Sequence, residues 1–375
     1  MNTKPVQIIF TGDVAFSKYF QNGWDGDGCI SNQVASFLKS ADHVVTNVES
    51  PVTASEIAMQ KALTHVSDPR AAHYMSQMNM KYWTLANNHI MDCGERGLRD
   101  TIIHAKEEGC YPFGAGMDLA EASQPLILGE ETKAGIISVT NYSQSLMADE
   151  NKAGALTWKN EDAIRSVIQE LKASVDWVVA IAHSGDEFCD IPMPYTRNRY
   201  LSLLDMGADI VIAHHPHIVQ NYERIDHKMI FYSLGNFLFD TDNQRTHPHT
   251  ENGVLVKIEF RKKTYTTEYY GIRINRERAL VEKSDIPPIF TDIDRENYEL
   301  LWPLAARRFY PVDLAKRKTF KKDYQNRSAP AIFVKEIKLL KNRKKRTVQV
   351  GRIRSLFGGW KRSSLKDVIQ YVRNG

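Results

Sequence analysis

Short apolar runs recur along the chain, and most of them end in polar residues and are followed by a longer helix-like stretch. The apolar runs are 6–10, 43–46, 82–86, 135–139, 177–182, 210–213 and 229–233. The helix-like stretches are 33–39, 69–78, 95–108, 162–173 and 197–206. Because runs of this length are strand-sized, the alternation predicts an α/β domain with mixed or parallel sheets.

The polar residues that follow these runs share one position, just beyond the carboxyl end of a predicted strand. Open α/β sheets gather their functional sites at that edge. We therefore expect side chains from distant parts of the sequence to meet there. After these runs the pattern changes to two alternating segments, 254–260 and 264–274, which predict a closing hairpin or sheet edge.

Charge is divided unevenly along the chain. The formal net charge is only +4, yet residues 301–375 contain 21 Lys and Arg against 4 Asp and Glu, which leaves 28 against 41 in residues 1–300. We expect a domain at 1–300 and a basic, helical extension at 301–375. Such extensions usually meet anionic partners, here an acidic polymer or, peripherally, the inner leaflet of a membrane. A solvated basic helix is the alternative, and nucleic acid is not expected because no nucleic-acid module is recognisable.

The start of the chain and its cysteines indicate a compartment. The segment 1–10 lacks the apolar length and the cleavage site of a secretory signal, and no apolar run approaches a transmembrane span. The four cysteines form no CxxC pair, which favours a reducing compartment over a cysteine zinc site or a disulfide scaffold. We therefore expect a cytoplasmic protein, with any membrane contact at the inner face.

The segment Ala213-His214-His215-Pro216-His217 is the strongest local signal for chemistry. A proline disfavours helical backbone at the preceding residue, so an extended segment is expected in which His215 and His217 point the same way. Two neutral imidazoles from one loop suit a divalent transition metal. The alternative is a surface loop that happens to be rich in histidine.

Other strand-end residues are weaker signals by themselves. A tight glycine turn is expected at Thr11-Gly12-Asp13, and Asp13 is a hard metal ligand or the cap of that turn. Glu49 is a ligand or an ordinary carboxylate at a helix start. The amide oxygen of Asn88 can bind a metal, and the adjacent His89 imidazole can give a proton to a leaving alkoxide, unless the segment is only an asparagine turn. His183 is either a ligand or a hydrogen-bonded structural residue.

Taken together, these residues predict a metal centre. One Asp, one Glu, one Asn and three His from successive strand ends form a mixed nitrogen and oxygen shell, which suits Mn, Fe or Zn. In two-metal centres, ions roughly 4 Å apart activate the water that attacks a phosphoester. No Ser-His-Asp order, Walker loop or nucleophile elbow competes for these positions.

Seven segments of this chain together resemble the CapA (poly-γ-glutamate capsule biosynthesis) family, whose domain is related to calcineurin-like metallophosphoesterases. In order they are Thr11-Gly12-Asp13-Val14, Asn47-Val48-Glu49-Ser50-Pro51, Leu85-Ala86-Asn87-Asn88-His89 with Asp92 and Gly94, Gly114-Ala115-Gly116, Ala182-His183-Ser184-Gly185-Asp186-Glu187-Phe188, Gly207-Ala208-Asp209-Ile210-Val211-Ile212-Ala213-His214-His215-Pro216-His217 and Tyr232-Ser233-Leu234-Gly235-Asn236-Phe237. The resemblance covers about residues 6–260 and does not extend into the basic extension.

This resemblance implies a layered α/β/β/α sandwich of the metallophosphoesterase type, with metals held between two sheets at their loop end. The implied metal ligands are Asp13, Glu49, Asn88, His183, His215 and His217. His89 falls where the phosphoesterase relatives keep the histidine that assists the leaving group. Asn236 is implied to close the pocket and to orient substrate, with a turn asparagine as the alternative.

Two positions depart from the pattern of these relatives. The tryptophan that usually follows the strand-end histidine is Ser184 here, which predicts a smaller and more polar pocket wall. Val14 and Ala15 follow Asp13, so the histidine of the Asp-x-His motif in calcineurin-like enzymes is missing. One histidine ligand is thereby lost, and we expect either one or two divalent ions.

Two functions are consistent with these residues. The first is a metal-dependent hydrolase of capsule or surface-polymer biosynthesis, in which activated water attacks a phosphoester or a related bond. The second is a non-catalytic polymer-binding or assembly factor for poly-γ-glutamate or capsular polysaccharide. Under either hypothesis the expected partner is an anionic polymer or a phosphoester substrate.

Overall fold

The apolar runs of the sequence form the strands of two mixed sheets. The structure is a computed structural model, and it describes residues 3–309 except 27, 60–62, 142, 144 and 145. Within these residues the strands are β1 (Val6–Val14), β2 (His43–Val48), β3 (Tyr82–Thr84), β4 (Tyr111–Phe113), β5 (Ala115–Gly116), β6 (Leu126–Leu128), β7 (Ala134–Thr140), β8 (Gly154–Ala155), β9 (Trp177–His183), β10 (Ile210–His214), β11 (Tyr222–Ile225), β12 (Lys228–Phe231), β13 (Asn236–Leu238), β14 (Asn252–Phe260), β15 (Tyr265–Asn275) and β16 (Leu280–Lys283).

The helices occupy the stretches between these strands. In the same part of the chain they are α1 (Asn32–Leu38), α2 (Arg70–Gln77), α3 (Gly94–Glu107), α4 (Leu119–Ala122), α5 (Glu161–Ser174), α6 (Pro194–Met206), α7 (Asp242–Arg245) and α8 (Arg295–Phe309), with a 3-10 turn at Lys18–Phe20. Proline at the first position of α6 is preorganised for a helix start, and Gly207 ends the helix with a φ of +130° that favours glycine. The five helices expected from the sequence therefore form, each within three residues of its predicted bounds.

The first sheet has the order β16-β15-β14-β1-β2-β3-β4, and β13 adds to β1. Strands β1 to β4 run parallel, whereas β14, β15 and β16 are antiparallel, so the hairpin expected at 254–274 is confirmed. The second sheet has the order β11-β12-β10-β9-β7-β6, with parallel central strands and antiparallel edges. The predicted mixed α/β fold is therefore confirmed.

The two sheets pack face to face through a shared apolar layer. Ile8 and Phe10 on β1 belong to the same buried cluster as Ile181 on β9 and Val211 on β10. Ile9, which points to the opposite side of β1, belongs to a second cluster with side chains of α1, α2 and α3. Successive side chains of a strand point to opposite faces, so β1 joins both layers. The carboxyl ends of β1, β2, β9 and β10 are thereby brought to one end of the molecule.

The first strand departs from the turn expected at Thr11-Gly12-Asp13. Strand β1 continues to Val14, and its pairing with β2 is interrupted by an irregularity between Phe10 and Asp13 rather than by a turn. A side chain at Gly12 would collide with the carbonyl oxygen of Gly235, because β13 lies directly against β1 there. Glycine is required at position 12 by this close approach of two backbones.

Helix α8 belongs to the apolar layer of the second sheet. Its residues Tyr298 and Trp302 are buried in the cluster that contains β9 and β10. The predicted basic extension lies outside the described residues from position 310 onward, so the division at residue 300 and the helical character of the extension stay predictions. In the described part of the chain, no helix combines the length and apolar content that crossing a membrane requires.

Candidate metal centre

Six side chains predicted as metal ligands meet at the carboxyl ends of the central strands. Asp13 lies near the end of β1, Glu49 directly after β2 and Asn88 after β3. His183 is the last residue of β9, and His215 and His217 lie just after β10. Parallel strands place their carboxyl ends at one edge, which explains how residues from different parts of the sequence converge. The sequence prediction of where these residues lie is therefore correct, while their role as ligands stays a prediction.

One group of ligand atoms surrounds Nε2 of His183. This nitrogen lies 2.7 Å from Oδ1 of Asn88 and 3.3 Å from Oε1 of Glu49. Nδ1 of His215 lies 3.1 Å from the same nitrogen. Glu49, His183 and His215 form a buried cluster whose spacing could hold a metal ion, and Asn88 adds an uncharged oxygen to it.

A second group shares Glu49 with the first. Nδ1 of His217 lies 3.3 Å from Oδ2 of Asp13, and Nε2 of the same ring lies 3.7 Å from Oε1 of Glu49. Asp13, Glu49 and His217 form another buried cluster that could hold a metal ion. Because Glu49 belongs to both clusters, the geometry accommodates two neighbouring ions bridged by one carboxylate.

The surroundings of the Glu49 carboxylate show that the two clusters suit a cation. Its side chain is fully buried, and neither oxygen has a hydrogen-bond partner among the described residues. Burial raises the pKa of Glu49 well above its ordinary value. An unsatisfied buried carboxylate is costly, and a bound cation is one of the few groups that offset this cost. The buried Asp, Glu and His clusters therefore fit a divalent ion, whose identity stays a prediction.

The imidazoles of the centre differ in charge. Burial lowers the pKa of His183 and that of His215 to about 3, so both rings are neutral in the form that binds metal. Burial would also lower the pKa of His217, but Glu49 and Asp13 outweigh it and raise this pKa to about 10. For Asp13, burial raises the pKa, yet bonds to His214 and His217 outweigh burial and hold it well below its usual range.

The backbone of the histidine loop is not extended, contrary to the sequence prediction. His215 has a φ of +96° and His217 a φ of +57°, both in the left-handed region that residues with side chains rarely adopt. Phe188 in the facing loop has a φ of +59°, and its N–H donates to the carbonyl oxygen of Pro216 at 2.8 Å. Such conformations cost roughly 1–3 kcal/mol each and persist where surrounding structure enforces them. The strain turns His215 and His217 toward the two different clusters.

Asn236 holds the ring of His217. The Asn236 amide nitrogen donates to Oε1 of Gln244 at 3.2 Å and to the carbonyl oxygen of Thr250 at 2.9 Å. Its Oδ1 lies 2.9 Å from Nδ1 of His217, and because this oxygen can only accept, Nδ1 of His217 carries a proton. Nε2 of His217 is then the atom directed to the cluster. The predicted contact of Asn236 with substrate stays a prediction.

His89 follows the predicted ligand Asn88 in the sequence and is held by an acidic residue. Nδ1 of His89 donates to Oδ2 of Asp92 at 2.7 Å, and the backbone N–H of His65 donates to the same oxygen at 2.7 Å. The His65 ring lies 4.2 Å from that of His89 and 4.9 Å from that of Phe239, measured between centroids. The remaining nitrogen of His89 is therefore fixed in direction, as a general acid requires.

Two further residues contact the cluster and a third acts on it through its charge, and none of the three was predicted as part of it. The amide nitrogen of Asn47 donates to Oδ1 of Asp13 at 2.7 Å, and Nδ1 of His214 lies 3.2 Å from the same oxygen. The charge of Glu187 acts on the pKa of His215 and of the other cluster histidines. Asn47 pairs directly with Asp13 in the β1–β2 ladder, so strand register was the signal that could have indicated it.

The wall next to His183 contains Ser184, where relatives were expected to carry tryptophan. Ser184 is buried, and its hydroxyl donates to Oδ1 of Asn141 at 2.9 Å. The guanidinium of Arg199 donates to the same oxygen at 3.1 Å. This wall is therefore polar, in agreement with the effect expected from a small residue at position 184.

Comparison with known proteins places this geometry in a family. The family model for bacterial capsule synthesis proteins, PGA_cap, matches residues 7–241. PGA biosynthesis protein CapA of Bacillus subtilis strain 168 is 30% identical over 260 residues, which are 68% of this chain and 67% of that protein. Capsule biosynthesis protein CapA of Bacillus anthracis is 29% identical over 268 residues, which are 68% and 64% of the two chains. The chain spans about two thirds of the length of these relatives.

Among solved structures, the chain is similar to TT1561 of Thermus thermophilus, with a TM-score of 0.38 and 10% identity over 75% of this chain and 99% of that one. This likeness is too weak to assign a fold type, so the fold rests on the two sheets themselves. The family model, in contrast, covers more than half of the chain and includes each of the six predicted ligands. The chain therefore belongs to the family of bacterial capsule synthesis proteins.

Proposed function

We propose that the protein is a metal-dependent hydrolase of capsule or poly-γ-glutamate biosynthesis, which acts on a phosphoester or a related bond of an anionic substrate. We further propose that its two facing sheets, with helices packed outside them, are a layered α/β/β/α sandwich of the metallophosphoesterase type. The observation that carries the proposal is the sharing of Glu49 between two buried clusters of ligand atoms. The family and the names of its relatives supply the biosynthetic context.

The ligands of the proposed centre are the residues that converge around Glu49. Asn88, His183 and His215 would hold an ion on one side, and Asp13 and His217 would hold an ion on the other. A bound divalent ion would act as a Lewis acid and activate water for attack on the ester. The protein contributes fixed ligand directions, because Asn236 orients His217 and Asn47 orients Asp13.

His89 is the proposed general acid. Oδ2 of Asp92 accepts a hydrogen bond from Nδ1 of His89, so a second proton, at Nε2, can pass to the oxygen of the leaving group. The backbone N–H of His65 donates to the same carboxylate oxygen and keeps Asp92 in place. Proton donation of this kind contributes about 10²–10⁴-fold to rate. The contribution is greatest when the leaving alkoxide is strongly basic.

The proposal is tested with protein purified without chelators. Its metal content should be measured by mass spectrometry, and hydrolysis of a generic phosphodiester and a generic phosphomonoester should be followed with added Mn²⁺. We expect hydrolysis by the wild type and a loss of more than about 100-fold in His215→Ala, since a ligand is removed. His73→Ala is the matched control, because His73 is an exposed residue of α2 that pairs with Glu108. Equal activity of His215→Ala and wild type would overturn the proposal.

A non-catalytic polymer-binding or assembly role is the second candidate. The observation that favours it is the charge of residues 301–375, with 21 Lys and Arg against 4 Asp and Glu. In this role the extension would bind an acidic polymer or the inner face of a membrane, at roughly 1 kcal/mol per basic residue near anionic lipid. We do not expect this extension to bind nucleic acid.

A flotation assay with anionic liposomes separates these partners. The full chain and a version truncated after residue 309 should be compared at low and high salt, because surface charge attraction is screened by salt. Membrane contact would be supported if the full chain floated and the truncated version did not, and if the full chain floated at low salt but not at high salt. Absence of flotation at low salt would remove the membrane from the proposal, together with the proposed location at its inner face.

A further inference from the structure

His247 is a half-buried residue just after α7, and its ring is held in place by Phe188. The two rings stack face to face, with 3.7 Å between their centroids and 7° between their planes. The backbone of Phe188 is itself fixed, because its φ is +59° and its N–H donates to the carbonyl oxygen of Pro216 at 2.8 Å. Strained backbone of this kind persists where the surrounding structure enforces it. The stack therefore sets the position of the His247 ring.

A continuous series of rings connects this stack with the metal centre. The Phe188 ring lies 6.2 Å from that of His217, a proposed ligand, measured between centroids. The Phe239 ring lies 4.6 Å from His217 on the same measure. From Phe239 the series continues through His65 to His89, with centroid distances of 4.9 Å and 4.2 Å. The stack is therefore one end of a series of rings whose other end is the proposed general acid.

Hydrogen bonds tie the segment around His247 to the same ligand. The backbone N–H of His247 donates to the carbonyl oxygen of Gln244 at 3.1 Å, and its carbonyl oxygen accepts from the Thr250 hydroxyl at 3.1 Å. Asn236 donates to Gln244 and to Thr250, and its Oδ1 lies 2.9 Å from Nδ1 of His217. Two routes, one through rings and one through hydrogen bonds, thus fix His247 relative to His217.

The ring nitrogens of His247 are available to a ligand. Among the described residues neither nitrogen has a hydrogen-bond partner, and the side chain interacts with the Phe188 ring and with the charge of Glu187. Burial lowers the pKa of His247, so near pH 7 the neutral ring has one N–H that donates and one nitrogen that accepts. The imidazole is one ring removed from His217, so a group that it binds belongs to the unit adjoining the reacting bond.

We infer that His247, stacked on Phe188, forms a subsite beside the metal centre and donates a hydrogen bond to an oxyanion of the substrate. The oxyanion is a carboxylate or a phosphate on the unit adjoining the bond that reacts. Hydrogen bonds to ionised oxygens are about twice as strong as those between neutral groups, so an oxyanion is the group that this N–H favours. The inference rests on the proposed function, since it specifies how an anionic substrate is oriented at that same site. His247 determines specificity and takes no part in the bond-making step.

The test is a calorimetric titration of the full-length protein loaded with Mn²⁺. An oligomer of γ-linked glutamate supplies carboxylates, and inorganic phosphate supplies the other oxyanion. His247→Phe keeps a ring that can stack on Phe188 but has no ring nitrogen, so we expect the affinity to fall by at least about tenfold. Phe188→Leu keeps an apolar side chain but loses the stack, and we expect a smaller fall in affinity because His247 is then less firmly placed.

His227→Phe is the matched control. His227 is exposed in the turn between β11 and β12, at the amino end of β12. Because β12 runs parallel to β10, this turn lies at the end of the sheet opposite to the carboxyl ends that carry the proposed ligands. The affinity of this variant for both probes should equal that of the wild type.

Metal content and thermal unfolding of each variant separate recognition from folding, since His247→Phe should lose oxyanion affinity while keeping metal and melting temperature. Loss for glutamate alone or for phosphate alone identifies which oxyanion the subsite takes. Unchanged affinity for both probes in His247→Phe and His247→Ala, or no binding of either probe by the wild type, would overturn the inference. Hydrolysis without His247 dependence sinks only the subsite, whereas His247-dependent binding without hydrolysis sinks only the proposed reaction.

Discussion

Oδ1 of Asn236 lies 2.9 Å from Nδ1 of His217, and both protons of the Asn236 amide are directed to other acceptors, at Gln244 and Thr250. The amide therefore cannot turn without losing these bonds, and the His217 ring cannot turn without losing its own. The relationship fixes which nitrogen of His217 faces the cluster. A residue that begins β13 thereby controls a side chain that follows β10.

Asn236→Ala should weaken metal binding by about 10–100-fold, since the partners of metal ligands usually contribute this much. The lost bonds leave buried groups unpaired, so the free energy of unfolding should also fall by about 1–3 kcal/mol. Calorimetric titration with Mn²⁺ and denaturant unfolding measure the two effects. Asn160→Ala is the control, because Asn160 bonds to Thr157 and to the Ala148 carbonyl group. The prediction would be contradicted if Asn236→Ala and Asn160→Ala both lost stability but bound Mn²⁺ with the same affinity as each other.

Glu49→Gln should remove metal-dependent stabilisation while leaving the metal-free fold intact. Glutamine matches glutamate in size and shape, and it removes the buried acid group whose pKa burial raises, so the metal-free fold should tolerate it. At 100 times its dissociation constant a metal stabilises the wild type by about 2.7 kcal/mol. Melting curves with Mn²⁺ and with a chelator should differ for the wild type and coincide for Glu49→Gln.

The exposed residue Glu161 supplies the control for this substitution, because it lies on α5 and pairs with Arg165. Glu161→Gln should keep the full shift in melting temperature on metal addition. A shift of equal size in Glu49→Gln would show that Glu49 is not a ligand.

The strands and the residues at their ends were predictable because both depend on local pattern. The apolar run of β1, which is buried at all but its second position, and the polar residue after each apolar run are visible in the sequence, so the positions of Asp13, Glu49 and His183 follow from it. The strands β4, β5, β6, β8, β11, β13 and β16 have only two to four residues each, too few for a pattern that distinguishes them from loops. Their pairing is decided by neighbours distant in sequence.

The features that the sequence predicted wrongly, or did not predict, depend on contacts between residues distant in the sequence. The proline rule predicted extended backbone at His215, yet contacts with the Phe188 loop hold it at a positive φ. Gly12 was expected in a turn, yet it allows β13 to approach β1. The bond between Asn141 and Arg199 joins residues 58 positions apart, for which one sequence contains no signal.

Metal binding at pH 7 should release at least one proton. The pKa of His217 is raised to about 10, so metal-free Glu49 and His217 together hold at least one proton at pH 7, and burial shifts the pKa of Glu49 in the same direction. A ligand must lose its proton to bind a metal. His183 and His215, with pKa values of about 3, are neutral already and release none. Affinity should therefore rise with pH, by about tenfold per unit for each proton released.

Calorimetric titrations with Mn²⁺ in two buffers of different ionisation enthalpy count these protons. The apparent binding enthalpy should differ between the buffers, and Glu49→Gln should release fewer protons than the wild type if any binding persists. Identical enthalpies in both buffers would rule out the expected proton release.

Gly12→Ala should displace Asp13, because the added methyl group meets the Gly235 carbonyl oxygen and β13 has to move. Crowding in a packed region costs about 1–3 kcal/mol or more. Gly109→Ala is the control: no atom lies within 4 Å of its added methyl group, although its φ of +68° costs roughly 1–2 kcal/mol in strain. Both variants should melt earlier, and only Gly12→Ala should bind Mn²⁺ more weakly. Wild-type affinity in Gly12→Ala would show that the β1–β13 contact does not place Asp13.

Asp92→Asn should slow the reaction in a way that depends on the leaving group. The substitution keeps the size of Asp92 but replaces the charged acceptor that holds His89 at 2.7 Å, so proton donation from His89 is weakened by up to about 10²–10⁴-fold. Phosphodiesters with strongly basic leaving groups need this proton, whereas nitrophenyl esters leave without it. Plotted against leaving-group pKa, kcat should therefore fall more steeply for Asp92→Asn than for the wild type, with metal content unchanged. Parallel lines for the two proteins would mean that Asp92 supports the fold alone, since a structural defect lowers the rate for every ester equally.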